Sequence, residues 1–300
     1  MKKKLQGTLA LMLGTTIWGL AFIAQSVGMD SLGPFTFQTV RCFLAVLFLA
    51  GCTFLFELPK SGVRVTMKKW EDPHLWKVGF LCGCALFVAA SLQQIGLVYT
   101  DAGKAGFLTA MYIVLVPILG LLFKQKPPKS TVYSVILAVV GLYLLCCMGA
   151  TGINIGDLCL MACALAFAVQ ITCIDRMAGD LDGLRLNCVQ SLVVTVLSIP
   201  FMLLTETVCI PDILACWFPL VFAGVMSMGV AYTLQIVGQK RLEPTTAALI
   251  MSMESVFAAL GGWLILHETM TFWEVTGCVL VFAAVILSQL PEGVFRKHRG

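Results

Sequence analysis

Ten apolar runs, each long enough to cross a lipid bilayer, constrain this chain more than any other feature. A helix advances ~1.5 Å per residue, so about 20 mainly apolar residues cover the ~30 Å hydrocarbon core. The runs are Leu5–Val27, Phe35–Phe56, Trp76–Val98, Gly103–Phe123, Val132–Met148, Gly156–Ile174, Leu186–Thr205, Ile213–Gly238, Thr245–Leu266 and Phe272–Leu290. Backbone groups in lipid find no water, so each run must be a helix or a strand of a closed barrel. Barrel strands alternate apolar and polar residues, and these runs do not. The expected fold class is an all-α integral membrane protein with ten transmembrane helices, joined by connections too short to hold a soluble domain.

Composition agrees. Apolar residues make up 59% and charged residues 12% of the chain, against roughly 25% charged in an average soluble domain. That excludes an ordinary soluble enzyme, a disordered chain and a nucleic-acid binder, which needs dense basic patches. The bilayer is the expected partner, with no nucleic acid.

The basic residues sort by side. With the amino terminus inside, Lys2, Lys3, Lys4, Lys60, Arg64, Lys68, Lys69, Lys77, Lys124, Lys126, Lys129, Arg176, Arg185, Lys240, Arg241, Arg296, Lys297 and Arg299 all fall inside. Only Lys104 falls outside, and Arg41 lies within a span. Because inner loops retain Lys and Arg, the split places both termini in the cytoplasm. Lys2-Lys3-Lys4 before an apolar run imitates a secretory signal, but the run continues through Gly14, Trp18 and Gln25 without a small-x-small site. It reads as an uncleaved first helix. Nearly all of the 13 cysteines lie inside spans, where they act as small apolar packing residues. Cys159 and Cys163 share a helix face but have no histidine nearby, so no metal is expected.

The sequence repeats itself. At a shift of 149, Gly7, Leu9, Leu11, Met12 and Val40 meet Gly156, Leu158, Leu160, Met161 and Val189. At a shift of 142, Leu92-Gln93 meets Leu234-Gln235, Gly96 meets Gly238, and Asp101 meets Glu243. The same register pairs Tyr112 with Glu254. Five spans per half is an odd number, so the halves enter the membrane from opposite sides, as two inverted five-helix repeats. Residues 1–149 form the first repeat, 150–292 the second, and 293–300 a basic cytoplasmic tail. Inverted repeats are common in secondary transporters, whose site lies near the midplane.

Ionisable residues deep in a membrane usually face a cavity or a partner. Glu254 lies mid-span nine and Arg41 about two turns inside span two. Glu254 either contacts a cationic or hydroxylated solute, carries a coupling proton, or pairs structurally, with Arg41 as one partner. Arg41 binds an anion, pairs, or snorkels. Gln38, Gln93, Gln94, Gln170, Asn187, Gln190 and Gln235 either bridge helices or contact a ligand. Trp18, Tyr112, Tyr232 and Trp263 are candidate cavity aromatics, with Tyr112 favoured by its repeat pairing. Gly79 and Gly83 form a face for close helix packing. Asp101 and Glu268 suit outer helix ends, and His267-Glu268 lacks the second His of a zinc-protease motif. No phosphate loop, nucleophile elbow or clustered carboxylates occur, so no ATP-driven motor is expected.

Several strings are now specific in combination. They are Trp18-Gly19-Leu-Ala-Phe22, Arg41, Tyr99-Thr-Asp-Ala-Gly-Lys-Ala-Gly-Phe-Leu108, Ala231-Tyr-Thr-Leu-Gln235, Ala247-Ala-Leu-Ile-Met-Ser-Met-Glu254-Ser-Val-Phe-Ala-Ala and His267-Glu268. Over both halves the chain resembles the EamA-type transporters of the drug/metabolite transporter superfamily. The resemblance implies a bacterial inner-membrane bundle with a central cavity. Helices one to four and six to nine surround that cavity, and five and ten lie outside. Ser255 stands where the family often has Pro, which implies a helix nine that bends less.

The expected function is secondary transport of a small organic metabolite or toxic compound across the plasma membrane by alternating access, with export one direction left open. Substrate-binding residues are expected among Trp18, Arg41, Gln93, Tyr112, Gln190, Tyr232 and Glu254. No enzyme activity and no cofactor are expected, proton coupling through Glu254 stays open, and the chain acts as a monomer or homodimer. The rival readings are a non-transporting receptor or assembly subunit, and a membrane-embedded lipid-modifying enzyme.

Overall fold

The computed structural model describes residues 2–100, 102–125, 127–146, 153–265 and 269–289. Ten helices among the described residues are long and apolar enough to cross a membrane. They are α1 Lys2–Met29, α2 Pro34–Lys68, α3 Pro73–Tyr99, α4 Lys104–Leu122, α5 Lys129–Cys146, α6 Ile155–Met177, α7 Gly183–Thr205, α8 Trp217–Gln239, α9 Pro244–Leu264 and α10 Phe272–Gln289. Large apolar side chains such as Leu9, Leu47, Phe80, Val140, Leu165, Val196, Val279 and Ile286 point outward all round the bundle. Such an apolar exterior is unfavourable in water and suits lipid. The chain is a multi-pass membrane protein.

The ten expected spans are all present, and the main difference is at the end of α2. The stretch after Phe56 remains helical to Lys68 instead of forming a loop, with the chain redirected at Gly62 (φ 74°, ψ 162°). Glu57, Lys60 and Arg64 can continue a helix once it leaves lipid, and glycine accepts the positive φ that turns it. The basic tail 293–300, Asp101, His267 and Glu268 lie outside the described residues.

The inversion is visible in how helix ends meet. Arg185, near the start of α7, donates through both terminal nitrogens to the two oxygens of Glu57, near the membrane end of α2. At the other face, Glu206 just beyond α7 accepts hydrogen bonds from Phe35 N (2.8 Å), Thr36 N (2.7 Å) and Thr36 Oγ1 (2.6 Å) in the first turn of α2. The two helices therefore run antiparallel, although each is the second helix of its half. A carboxylate at a helix N-terminus satisfies orphan amides and complements the helix dipole.

Close packing repeats with the sequence. A Cβ on Gly83 of α3 would lie 2.6 Å from Val193 Cβ and 3.0 Å from Gln190 O in α7. A Cβ on Gly224 of α8 would lie 2.9 Å from Leu44 Cβ and 2.7 Å from Arg41 O in α2. Val193 and Gln190 are the residues 149 beyond Leu44 and Arg41. Gly79 likewise meets Val189, so the small-residue face of α3 serves helix packing as expected. Helices α5 and α10 pack on each other through Gly141 and Gly277.

Three helices besides α2 are irregular. Helix α4 is interrupted at Met111, between Ala102–Ala110 and Tyr112–Leu122. Helix α9 is interrupted at Ser252, between Pro244–Met251 and Met253–Ile265. Helix α8 contains a π-helical segment, Phe222–Ala231. Helix nine thus breaks even though Ser255 replaces proline. Ser252 Oγ bonds back to Leu249 O at 2.8 Å, and Ser255 N reaches only three residues back, to Ser252 O at 3.3 Å. A side chain that competes for a helix carbonyl loosens the ladder without any proline.

Candidate functional site

The two breaks flank a small cavity in the middle of the bundle. Its fourteen lining residues come from α1 (Trp18, Phe22, Gln25), α2 (Arg41), α3 (Gln93) and α4 (Thr109, Tyr112). In the second half they come from α6 (Phe167, Ile171), α8 (Ser227, Tyr232, Gln235) and α9 (Met251, Glu254). All but Trp18 are buried. Helices α5 and α10 contribute none, as the family resemblance implies. Helix α7 also contributes none, which differs from that expectation.

Ten of these residues are five repeat pairs. Trp18 and Phe167, and Phe22 and Ile171, are 149 apart; Gln93 and Gln235, Thr109 and Met251, and Tyr112 and Glu254 are 142 apart. A cavity lined by equivalent positions of two inverted halves straddles the axis that relates them. Tyr112 and Glu254 meet across it, the phenol donating to Glu254 Oε1 at 3.1 Å. The breaks explain their placement. Each stands in the first turn of the segment that restarts at its break, Tyr112 after Met111 and Glu254 after Ser252. Discontinuous helices at mid-membrane aim helix termini at the site they line.

Arg41 donates to Gln25 Oε1 and, at 3.4 Å, to Gln38 Oε1. Gln94 Nε2 adds a second hydrogen bond to Gln25 Oε1 at 2.5 Å, and Gln38 Nε2 reaches Ser91 Oγ at 2.9 Å and Ser198 Oγ at 3.3 Å. Arg41 is thus held by neutral amides, with its charge uncancelled. The ion pair with Glu254 that the sequence left open is not formed among the described residues. One chamber therefore presents a guanidinium and, separately, a carboxyl group. In its walls, Trp18 packs edge-on against Tyr232 (centroids 4.9 Å, 65°), and Tyr112 against Phe167 (6.4 Å, 67°). Trp18 Nε1, Arg41 Nε, Thr109 Oγ1 and Gln235 Oε1 are buried without a partner among the described residues.

Of the residues singled out in the sequence, the structure brings Trp18, Arg41, Gln93, Tyr112, Tyr232, Gln235 and Glu254 to this cavity. Gln190 lies outside the lining and donates to Asn187 Oδ1 at 2.8 Å. Trp263 is exposed on the outer surface. Phe167, Ile171 and Met251 were not anticipated because apolar residues in an apolar span carry no signal of their own. The repeat register held that signal for Phe167, the partner of Trp18, whereas Ile171 and Met251 pair with Phe22 and Thr109, which the sequence did not mark as site residues. Among the described residues no group of His, Cys, Asp and Glu could hold a metal ion, and the twelve described cysteines form no disulfide.

Comparison with known proteins agrees with this architecture. The family model described as EamA-like transporter family matches residues 5–147 and again 154–290. An uncharacterized transporter of Archaeoglobus fulgidus is 35% identical over 291 residues, covering 96% of this chain and 87% of its own. The threonine/homoserine exporter RhtA of Salmonella typhimurium is 32% identical over 181 residues, covering 58% of this chain and 59% of its own. A solved crystal structure superposes with a TM-score of 0.82 at 16% identity, covering 97% of this chain and 99% of the other, which shows a shared fold. Two inverted five-helix halves around a polar chamber, and a family model matched in each half, place this chain in the EamA-like transporter family.

Proposed function

We propose that the protein exports a small zwitterionic solute, such as an amino acid, through the central cavity by alternating access. It works in the plasma membrane with both termini in the cytoplasm. The observation that carries this reading is the chamber itself, which offers Arg41 to a carboxylate and Glu254 to an ammonium or hydroxyl without letting the two neutralise each other. Mutual neutralisation would leave the cavity with no reason to prefer a charged solute. The name of RhtA supports export and an amino-acid cargo. The aromatic walls supply apolar surface for the rest of such a molecule, as in most small-molecule sites.

Glu254 carries the coupling proton in this mechanism, and no cofactor takes part. The protein works as a carrier rather than an enzyme, a reading that the EamA-like transporter family model supports. One chain completes the cavity, so a monomer suffices and a homodimer adds nothing to the site.

The test is efflux of labelled threonine and homoserine from liposomes containing the purified protein. Efflux well above that of protein-free liposomes is expected, and Arg41→Met should reduce it to background. Binding of either amino acid without movement across the sealed bilayer would favour a receptor or assembly role instead.

A further inference from the structure

Helix α8 carries one residue more than its repeat partner α3. Gly83 and Gly224 make equivalent contacts with α7 and α2 and lie 141 apart. Further along, Gly96 meets Leu160 and Gly238 meets Leu11, again equivalent contacts, yet these glycines lie 142 apart. The extra residue falls between Gly224 and Gly238, where α8 is π-helical and Tyr232 N–H bonds to Ser227 O, five residues back. A single inserted residue is the usual origin of such a segment. It rotates everything on one side by about 100° relative to a regular helix. Here it lets both glycine contacts form while Tyr232 and Gln235 face the cavity.

The wider turn shifts hydrogen bonds and leaves carbonyls to be satisfied. Buried Asn187 supplies them, with Nδ2 2.8 Å from Met228 O, 2.9 Å from Gly229 O and 2.9 Å from Thr233 Oγ1. A backbone carbonyl can only accept, so Asn187 must present its NH2 there and its oxygen elsewhere. That oxygen accepts from Gln190 Nε2 at 2.8 Å; Gln190 Oε1 accepts from Gln170 Nε2 at 3.4 Å; Gln170 Oε1 accepts from Gln235 Nε2 at 3.1 Å. Every amide in the chain is thereby oriented, and the last has its oxygen left over. Among the described residues, Gln235 Oε1 is a buried cavity acceptor with no partner, as is the hydroxyl oxygen of Thr109.

We propose that Asn187 is a positioning residue that holds the π segment of α8 and, through Gln190 and Gln170, locks Gln235 Oε1 as an acceptor, so that the site selects a solute with a hydroxyl or ammonium donor there. The selection half of this rests on the cavity being the transport site; the locking half does not. In half one the equivalent residue, Gln38, bonds only side chains, and α3 is a regular helix.

The test uses the full chain in lipid nanodiscs and liposomes, with variants Asn187→Leu, Asn187→Ser and Gln190→Leu. Hydrogen–deuterium exchange of residues 222–233 should rise about tenfold in Asn187→Leu and by less in Asn187→Ser, which keeps one donor. It should stay within about twofold of wild type in Gln190→Leu, and so should residues 80–91 of α3 in all three. Threonine efflux should show KM raised about tenfold in Gln190→Leu with kcat little changed, and a weaker preference for threonine over valine, which lacks the hydroxyl. Unchanged exchange in both Asn187 variants overturns the lock. An unchanged threonine-to-valine ratio in Gln190→Leu overturns the selection. If the wild-type protein carries neither amino acid, the amino-acid reading of the cavity fails, and the exchange pattern still decides the lock.

Discussion

Arg41 holds its place through amide oxygens on two helices, and that arrangement suits a guanidinium better than an ammonium. Lysine carries the charge but lacks the planar fork that reaches Gln25 and Gln38 together. Arg41→Lys should therefore reduce threonine efflux by roughly tenfold, the equivalent of one charge-assisted hydrogen bond, with the protein still folded by size-exclusion chromatography. Glu254→Gln keeps an acceptor for the Tyr112 hydroxyl but cannot exchange a proton. Efflux by that variant, followed as a function of pH, should lose the dependence seen in wild type; an unaltered profile would remove Glu254 from coupling. Both residues were legible in the sequence because ionisable groups are rare within apolar spans. Gln25, which anchors Arg41, was not singled out: an isolated amide in a span is ordinary helix-to-helix glue, and only its neighbours across space show otherwise.

Helix packing can be tested where the small residues touch. At Gly83 any side chain meets Val193 and Gln190 O, whereas a Cβ at Gly51 in α2 meets nothing within 4 Å. Gly83→Leu should lower stability by about 1–3 kcal/mol through overpacking, and Gly51→Leu by much less, read from thermal unfolding in detergent. This contrast was half visible beforehand, since the spacing of Gly79 and Gly83 marks a helix face but does not say which helix it meets. The interruptions of α4 and α9 were harder to see. Neither Met111 nor Ser252 is a residue that must end a helix, and Ser252 acts through a local bond to Leu249 O. The absence of proline at 255 predicted a straighter helix; the hydrogen bonds of Ser252 override that expectation.

Over the whole molecule, the antiparallel halves separate two faces. Cys209, exposed between α7 and α8, lies at the face opposite the exposed Val63 in the tail of α2. On the proposed topology, an impermeant thiol reagent applied to intact cells should label Cys209. A Val63→Cys variant should gain label at position 63 only after the membrane is opened. Labelling of both positions from one side would contradict the inverted arrangement itself. The clamps at the two faces, Arg185 with Glu57 and Glu206 with the start of α2, join the same pair of helices. Removing the helix-capping charge with Glu206→Gln should cost about 0.5–2 kcal/mol, measured in the same unfolding assay.

Composition and periodicity alone determined that this chain lives in a membrane, crosses it ten times and is built twice. Those properties follow from the cost of exposing backbone and charge to lipid, which every residue reports locally. Which residues share the cavity was decided only by the tertiary structure. Burial there depends on how far each helix is rotated, and one inserted residue in α8 or one serine hydroxyl in α9 changes that rotation without altering the apolar pattern. Arg41 and Glu254 look like natural ion-pair partners in the sequence; in the folded protein amides claim one and a phenol the other, leaving the guanidinium and the carboxyl group to face the chamber separately.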